Sequence, residues 1–533
     1  MSHRSLWLAI LAALALVATP LAVLVHREYA SSQKLNGPGR VLRFAGKDWG
    51  YPSPFQFYPR GPGYMQMSLL FDTLTWKDEE GLTGLLARSW TVSPDGKTYT
   101  FVLRPGVCWH DGVALTARDV AFSVRYLREH AFTWADVSVV ADARAVDDRT
   151  VAIELHRPHA PFLVDIAGAI PILPAHIWEK VEDPRRFGGE AAVLGSGPFK
   201  LERYSKSHGT YSYVANESYF LGRPRVDRLE YVAAGDSLLA LKEGEIHALS
   251  LWASMLDAVP EFRGDPRFQV LEGPGNWMLR LVFNHADADL SSRDVREAFA
   301  LAIDLGEIAE RLRHGHVVPG SPGVLPPDSP WRNPHIPPCR PDLARARARV
   351  RAAGLGRRTF TLLTTPQYVR EADYVASQAG RAGIAVAVKA LPPTTADALL
   401  REGRFELAID GHGGIGGDPD VLRKQFCSAA GGSPAGSSPI STGRTYGYAN
   451  PELDELGRAQ LREADPEARR AIVHKMQEII AHDIPTVVLW HPKMAFVYRP
   501  EVLDGWFYSP GGLAGGIPLA TNKLALIDRR PSR

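Results

Sequence analysis

The sequence predicts an α/β protein built from more than one folded unit, and three observations carry that reading. The chain has 533 residues, whereas a domain averages about 150, so roughly three units are expected. Residues 359–410 alternate strand-like and helix-like segments as βαβαβ, the pattern of a parallel sheet. Leu82 to Leu127 reads as a strand, turn and capped helix with every local signal in agreement.

From the N-terminus, Ser5 to Val25 is a run of 21 residues without a charge, between Arg4 and the pair His26-Arg27. Such a run is long enough to cross a hydrocarbon core and exceeds a usual signal h-region, so residues 1–27 read as a signal anchor or transmembrane helix. A cleaved signal is the alternative, with Ala13-Leu14-Ala15 as a cleavage-like box inside the apolar run. Residues 28–40, with Ser31-Ser32 and Gly37-Pro38-Gly39, read as a tether. Trp49-Gly50-Tyr51-Pro52 opens an irregular aromatic segment. Ser93-Pro94-Asp95-Gly96 is a turn in which Pro presets φ and Gly accepts a positive one. Thr98 to Arg104 then alternates, placing Tyr99, Phe101 and Leu103 on one face of a half-buried strand. Trp109-His110-Asp111-Gly112 turns the chain, Thr116 and Asp119 form a capping box, Leu115 and Val120 a hydrophobic staple, and Val120, Val124 and Leu127 recur at helical spacing.

In the C-terminal half, strands are expected at 359–364, 384–391 and 405–410, with helices at 368–382 and 394–402 between them. Helices are also expected over Pro341 to Ala353, with Pro at N1, and over Pro466 to Ala481 after an Asp465 cap, burying Ile472, Met476, Ile479 and Ile480. Ala429 to Thr442, rich in Gly, Ser and Pro, reads as a surface loop. Pro485 to Trp490 reads as a strand returning to the first unit.

Composition excludes several function classes. The formal charge is +2 without a basic block, so nothing demands nucleic acid. Arg345, Arg347, Arg349 and Arg351 repeat at two-residue steps, which scatters them around a helix. The three cysteines, Cys108, Cys339 and Cys427, allow one disulfide at most. His314-Gly315-His316 sits among Arg311 and Arg313, which repel a cation, and no other close His pair suggests a metal site. Gly195-Ser196-Gly197 is not a nucleophile elbow, and no Walker loop or zinc-protease motif is present. Gly411 to Gly416 spells G-x-G-x-x-G, but Gly417-Asp418-Pro419 interrupts where the helix of a dinucleotide site should run. No cofactor, metal or catalytic residue is therefore expected.

The run ARSW, Ser-Pro-Asp-Gly, YTFVLRPGVCWHDG and LTARDV resembles the signature of the family 5 extracytoplasmic solute-binding proteins of ABC importers. GSGPFKLERY from Gly195, NESYFLGRPRVDRLEYV from Asn216, LLALKEGEI from Leu238, LVFN from Leu281 and SRDVREAFALAID from Ser292 follow in the same order. The resemblance implies a periplasmic-binding-protein type II fold of the cluster C kind, with two lobes, an inserted extra domain and the ligand between the lobes. Carried onto this chain, lobe one takes 41–80, 195–282 and 490–533, the extra domain 81–194 and lobe two 283–489, with crossings near Phe283 and Leu489. Cys339 and Cys427, both in lobe two, are then the expected pair if any disulfide forms. The implied function is a receptor on the periplasmic side, tethered by its N-terminal helix or released if that is cleaved, which delivers a peptide or similar solute to a permease and ATPase. Nickel chelates, oligosaccharides or a sensory role without a permease are the alternatives.

The expected ligand contacts are Trp49, Tyr51, Trp277 and Trp490 near the lobe junction, and His412, Gly413, Gly414, Ile415 and Asp418 in the glycine-rich loop beyond a parallel strand, where α/β sheets bind ligands. For each aromatic, core packing is an equally good reading. In the peptide binders that this chain resembles, an aspartate holding the peptide amine occupies the position of Ile415. A buried ammonium without a counterion costs several kcal/mol, so either another acid substitutes or the ligand is not held by an α-amine.

Overall fold

The computed structural model describes residues 39–59, 61–428 and 447–528. The run Ser5 to Val25, most of the tether and the loop Ala429 to Thr442 lie outside the described residues. Among the described residues no helix is long and apolar enough to cross a membrane.

In chain order the strands are β1 (Val41–Ala45), β2 (Thr75–Lys77), β3 (Leu82–Gly84), β4 (Ala87–Val92), β5 (Thr98–Leu103), β6 (Val140–Ala145), β7 (Thr150–Leu155), β8 (Phe199–Ser205), β9 (Thr210–Ala215), β10 (Arg228–Val232), β11 (Ala248–Trp252), β12 (Gln269–Gly273), β13 (Trp277–Phe283), β14 (Val317–Pro319), β15 (Thr359–Thr364), β16 (Ala385–Ala390), β17 (Leu407–Gly413), β18 (Thr486–Pro492) and β19 (Met494–Tyr498). A first, seven-stranded sheet runs β12-β19-β11-β1-β10-β9-β8 and a second, six-stranded one β14-β18-β13-β17-β15-β16. Inserted in sequence between β1 and β8 of the first sheet is a four-stranded antiparallel sheet, β4-β5-β7-β6. In the second sheet β15 is parallel to both β16 and β17, the expected βαβαβ arrangement.

The local signals between 82 and 127 act as their chemistry dictates. The Gly96 amide closes the turn on the Ser93 carbonyl at 2.8 Å. Tyr99, Phe101 and Leu103 are buried on β5, and Phe162 packs 4.4 Å from the Tyr99 ring. The Thr116 amide donates to Asp119 Oδ2 at 2.8 Å, completing the capping box of the helix Ala117–Glu129.

Four expectations need correction. The chain passes from the first sheet to the second through Pro274, Gly275 and Asn276, and back at Lys493, rather than near Phe283 and Leu489. Both β13 and β18 are central strands of the second sheet, buried on both faces, so nothing in their pattern marks where the chain changes sheets. The three cysteines are free: Cys427 Sγ rests 3.3 Å from the Leu453 carbonyl and Cys339 Sγ 3.4 Å from that of Ala300. The helix after Pro341 starts only at Leu343, because Asp342 caps it by accepting from the Arg345 amide at 2.9 Å. In the helix Pro466–Asp483 the buried apolar face is Val473, Met476 and Ile480, with Ile472 and Ile479 only half-buried.

One buried ion pair ties the C-terminal segment into the first unit. Lys523 and Asp72 are both fully buried, with Nζ 2.6 Å from Oδ1. The ammonium also donates to the carbonyls of Ser68 and Phe71, and the carboxylate accepts from Ser196 Oγ and the Tyr219 hydroxyl, each at 3.0 Å. Removing one member of such a pair strands a buried charge, which costs about 3–5 kcal/mol. Lys523→Met is therefore expected to lower the free energy of urea unfolding by about that amount; a midpoint equal to the parent's would contradict this reading of the pair.

Candidate functional site

The second sheet ends, at the carboxyl edge of its parallel strands, in the glycine-rich segment that leaves β17. Here the side chains alternate between two faces. On one, Trp277 of β13 lies across Gly411, where a Cβ would come within 2.0 Å of the indole, so only glycine leaves room for the ring. Trp277 also faces Trp490 at 5.3 Å and Tyr368 at 6.2 Å, and the Arg313 guanidinium sits 5.0 Å from the Trp490 ring. Such stacks contribute about 0.5–1.5 kcal/mol beyond burial.

On the other face runs a line of polar groups. Arg280 and Asp410, partners across β13 and β17, form a buried ion pair at 3.0 Å. Arg280 also donates to Gln425 Oε1 at 2.9 Å, and the Gln425 amide nitrogen meets His412 Nε2 at 2.6 Å. Burial pushes the Asp410 carboxyl up to about 6 against the opposing pull of Arg280. Burial, helped by the Arg280 charge, pushes His412 down to about 3, so its imidazole is neutral and its Nε2 accepts from Gln425.

The remaining loop residues are held rather than displayed. Ile415 is buried, 1% exposed, in the apolar cluster of Met278, Leu422, Met476 and Ile480, so the expectation that it faces ligand gives way to a core role. Asp418 accepts both arms of Arg469, at 2.8 and 2.5 Å, and also accepts from the Asp420 amide at 2.8 Å. Trp49 and Tyr51 do not join Trp277 and Trp490. The Trp49 amide donates to the Tyr211 hydroxyl on β9 at 2.7 Å, and Tyr51 packs 5.6 Å from Tyr204 on β8 and donates to the Gly189 carbonyl at 3.0 Å.

What the glycine loop meets is a second glycine-rich segment, Pro510 to Ile517, from the C-terminal part of the chain. A Cβ on Gly516 would lie 2.9 Å from Gly414 Cα, and one on Gly511 2.7 Å from the Gly416 carbonyl oxygen. Asn276, in the first crossing, clasps both segments: its backbone carbonyl accepts from the Gly414 amide at 3.0 Å and its side-chain amide donates to the Gly516 carbonyl at 3.3 Å. Two side-chain contacts flank this junction. Lys424 reaches Asp165 of the inserted segment at 3.1 Å, and His316 reaches Asp257 beside β11 at 2.6 Å. The Ala160 amide also donates to the Leu461 carbonyl at 2.7 Å. The paired glycines Gly511-Gly512 and Gly515-Gly516 were a signal for this segment in the sequence, whereas Asn276 and Gln425 carry none.

The site also bears on pH. Burial pushes His110, His159, His247, His285 and His491 down to about 4 and His412 to about 3, against about 6.5 in the unfolded chain. Between pH 6.5 and 4 the unfolded state therefore takes up imidazole protons that the folded state does not, and stability falls as pH falls. Asp410, raised to about 6, acts in the opposite direction but is outnumbered. The urea midpoint at pH 5 is expected to lie below that at pH 7.5; an equal or higher midpoint would show that these rings are protonated in the fold.

Residues 81–434 match the family of bacterial extracellular solute-binding proteins, family 5 (Middle). The "Probable di/tripeptide-binding protein 5" of Pseudomonas aeruginosa is 27% identical over 80% of this chain and 85% of its own. The dipeptide-binding protein of Escherichia coli is likewise 27% identical, over 80% and 84%. Among solved structures, DppA of Helicobacter pylori in complex with the peptide STSA superposes with a TM-score of 0.71 at 24% identity, covering 90% of this chain and 97% of that one. NikZ of Campylobacter jejuni in complex with Ni(L-His) gives 0.73 at 22%, covering 91% and 98%. With the matched family spanning well over half of its length, this chain belongs to the family 5 bacterial extracellular solute-binding proteins.

Proposed function

We propose that the chain is the receptor of an ABC importer that encloses a peptide or similar small solute between two lobes and passes it to a permease and ATPase, without chemistry of its own. The observation that carries this reading is the meeting of the two glycine-rich segments beside the crossing residue Asn276. The glycines meet with no side chains of their own, beside the segments Pro274 to Asn276 and Lys493 where the chain passes between the two sheets, and the bonds that flank them are few. A ligand that touches both sides favours the closed arrangement by its differential affinity. Lobe one would comprise about 41–80, 195–273 and 494–528, lobe two about 277–492, and the inserted domain about 81–194, in the type II, cluster C arrangement. The names of the two sequence relatives support a peptide as the solute. A nickel chelate held by His412 is less well supported, since its Nε2 already accepts from Gln425. The uncharged run Ser5 to Val25 supports a membrane anchor or signal that places the receptor on the periplasmic side.

Gly416 gives the test. A Cβ there would lie 1.7 Å from Asn276 Oδ1, so Gly416→Ala must expel the amide that clasps Gly516. Titrated calorimetrically with Ala-Ala-Ala, the variant is expected to bind at least about tenfold more weakly than the parent, about 1.4 kcal/mol, with the peptide recovered intact. Unchanged affinity, or recovery of shortened peptide, would contradict the proposal.

A further inference from the structure

The inserted domain touches lobe two through the stretch from His159 to Asp165, which follows β7. The Ala160 amide donates at 2.7 Å to the Leu461 carbonyl. That carbonyl is one of the last four of the helix Pro451–Arg462 and so has no partner inside it. Asp165 meets Lys424 of the helix Asp420–Phe426 at 3.1 Å and also lies in the field of Lys77 on β2, so this carboxylate faces a lysine of each lobe. The same domain holds the C-terminal glycine segment, where Trp134 Nε1 donates to the Ala514 carbonyl at 2.8 Å. It thus grips both partners of the glycine contact. His159 stands at the start of this stretch, and its Nδ1 is buried without a hydrogen-bond partner among the described residues. The charged groups that face it from lobe two are Asp420, Lys424, Asp418 and Arg423. Both acids are already committed: Asp420 holds Arg423 at 2.6 Å and Lys424 at 3.4 Å, and Asp418 accepts both arms of Arg469. A protonated imidazole carries an N–H on each nitrogen, and here the second N–H would be buried without an acceptor and beside two cations. Burial, opposed by Asp420 and Asp418 and aided by Lys424 and Arg423, pushes the ring down to about 4.

We infer that the inserted domain is a proton-sensitive latch on closure, in which His159 must be neutral to sit against the helix Asp420–Phe426 and takes up a proton once that contact opens. This rests on the receptor reading above and names what regulates the same closing. When the lobes part, His159 meets water and returns toward the ordinary imidazole value of about 6.5. Between about 6.5 and about 4 the open state therefore binds more protons than the closed one, and closure, with the solute affinity that depends on it, weakens as pH falls. His412 and His491 do not share the effect, because each is bonded within lobe two, to Gln425 and to the Trp277 carbonyl.

Calorimetry with Ala-Ala-Ala on the full chain, stripped of any co-purifying solute, tests the latch. The parent is expected to bind about 10- to 30-fold more weakly at pH 5 than at pH 7.5, the upper figure being all that one imidazole moved from about 6.5 to about 4 can supply. At pH 5.5 it is expected to release about one proton per peptide bound, read from the difference between buffers of unlike ionisation enthalpy. His159→Gln keeps a polar side chain without a titrating ring. Whatever its affinity at pH 7.5, its pH 5 affinity is expected to stay within about threefold of that value, with the proton release lost. A parent that binds equally at both pH values or releases no proton, or a His159→Gln that weakens on acidification as the parent does, would overturn the latch and leave the receptor intact. Failure of the parent to bind at pH 7.5 would overturn the receptor reading and the latch with it.

Discussion

The two halves of this molecule meet where Gly416 gives up its side-chain space to Asn276, whose Oδ1 lies 1.7 Å from where a Cβ would stand, so that the Asn276 amide can reach Gly516. The same holds across the junction, where Gly414 and Gly516 approach within the distance that any Cβ would forbid. Backbone against backbone leaves no rotamers to adjust, so the contact is either made or broken. Each glycine segment is anchored in its own apolar core. Ile415 lies with Met278 and Met476, while Leu513, Ala514 and Ile517 pack in the first core, where Trp134 Nε1 donates to the Ala514 carbonyl at 2.8 Å. A loop that looks permissive in sequence is thus stiff on the side away from its partner.

The polar groups around this junction divide by burial. Arg280 and Asp410 are some 5% exposed, so the pair makes β13 and β17 costly to separate and fixes their register, with Gln425 and His412 continuing the line. The Asp257–His316 pair is of another kind. Its carboxylate is 67% exposed, which limits it to a fraction of a kcal/mol under salt screening, and it can open without leaving a charge stranded. The bonds from the inserted segment to the second unit, Asp165 to Lys424 and Ala160 to Leu461, make that segment a third party to the contact. Strong interactions lie within units and weak ones between them, the distribution that an opening and closing receptor requires.

Much of the fold was legible in the residues. The turn at Ser93 to Gly96, the alternation on β5, the capping box at Thr116 and the parallel βαβαβ unit all depend on short-range rules and all form where those rules place them. The crossings were misplaced because a central strand is buried on both faces and its pattern does not say which sheet it joins. The site was legible only in part. Trp277 and Trp490 do come together, but Trp49 and Tyr51 bind their own sheet, and Ile415 faces inward, since the direction of a loop side chain depends on contacts far away in sequence. Asn276 is 140 residues from Gly416, and no local rule links the two.

If the proposed receptor closes on its solute, the glycine contact belongs to the ligand-bound state and breaks when the solute leaves. Small-angle scattering of the full chain, stripped of solute and then saturated with Ala-Ala-Ala, tests it most directly. The stripped protein is expected to have a larger radius of gyration and, on saturation, to contract to the profile calculated from this structure. A stripped protein that already scatters as this structure does, and does not change with peptide, would contradict it.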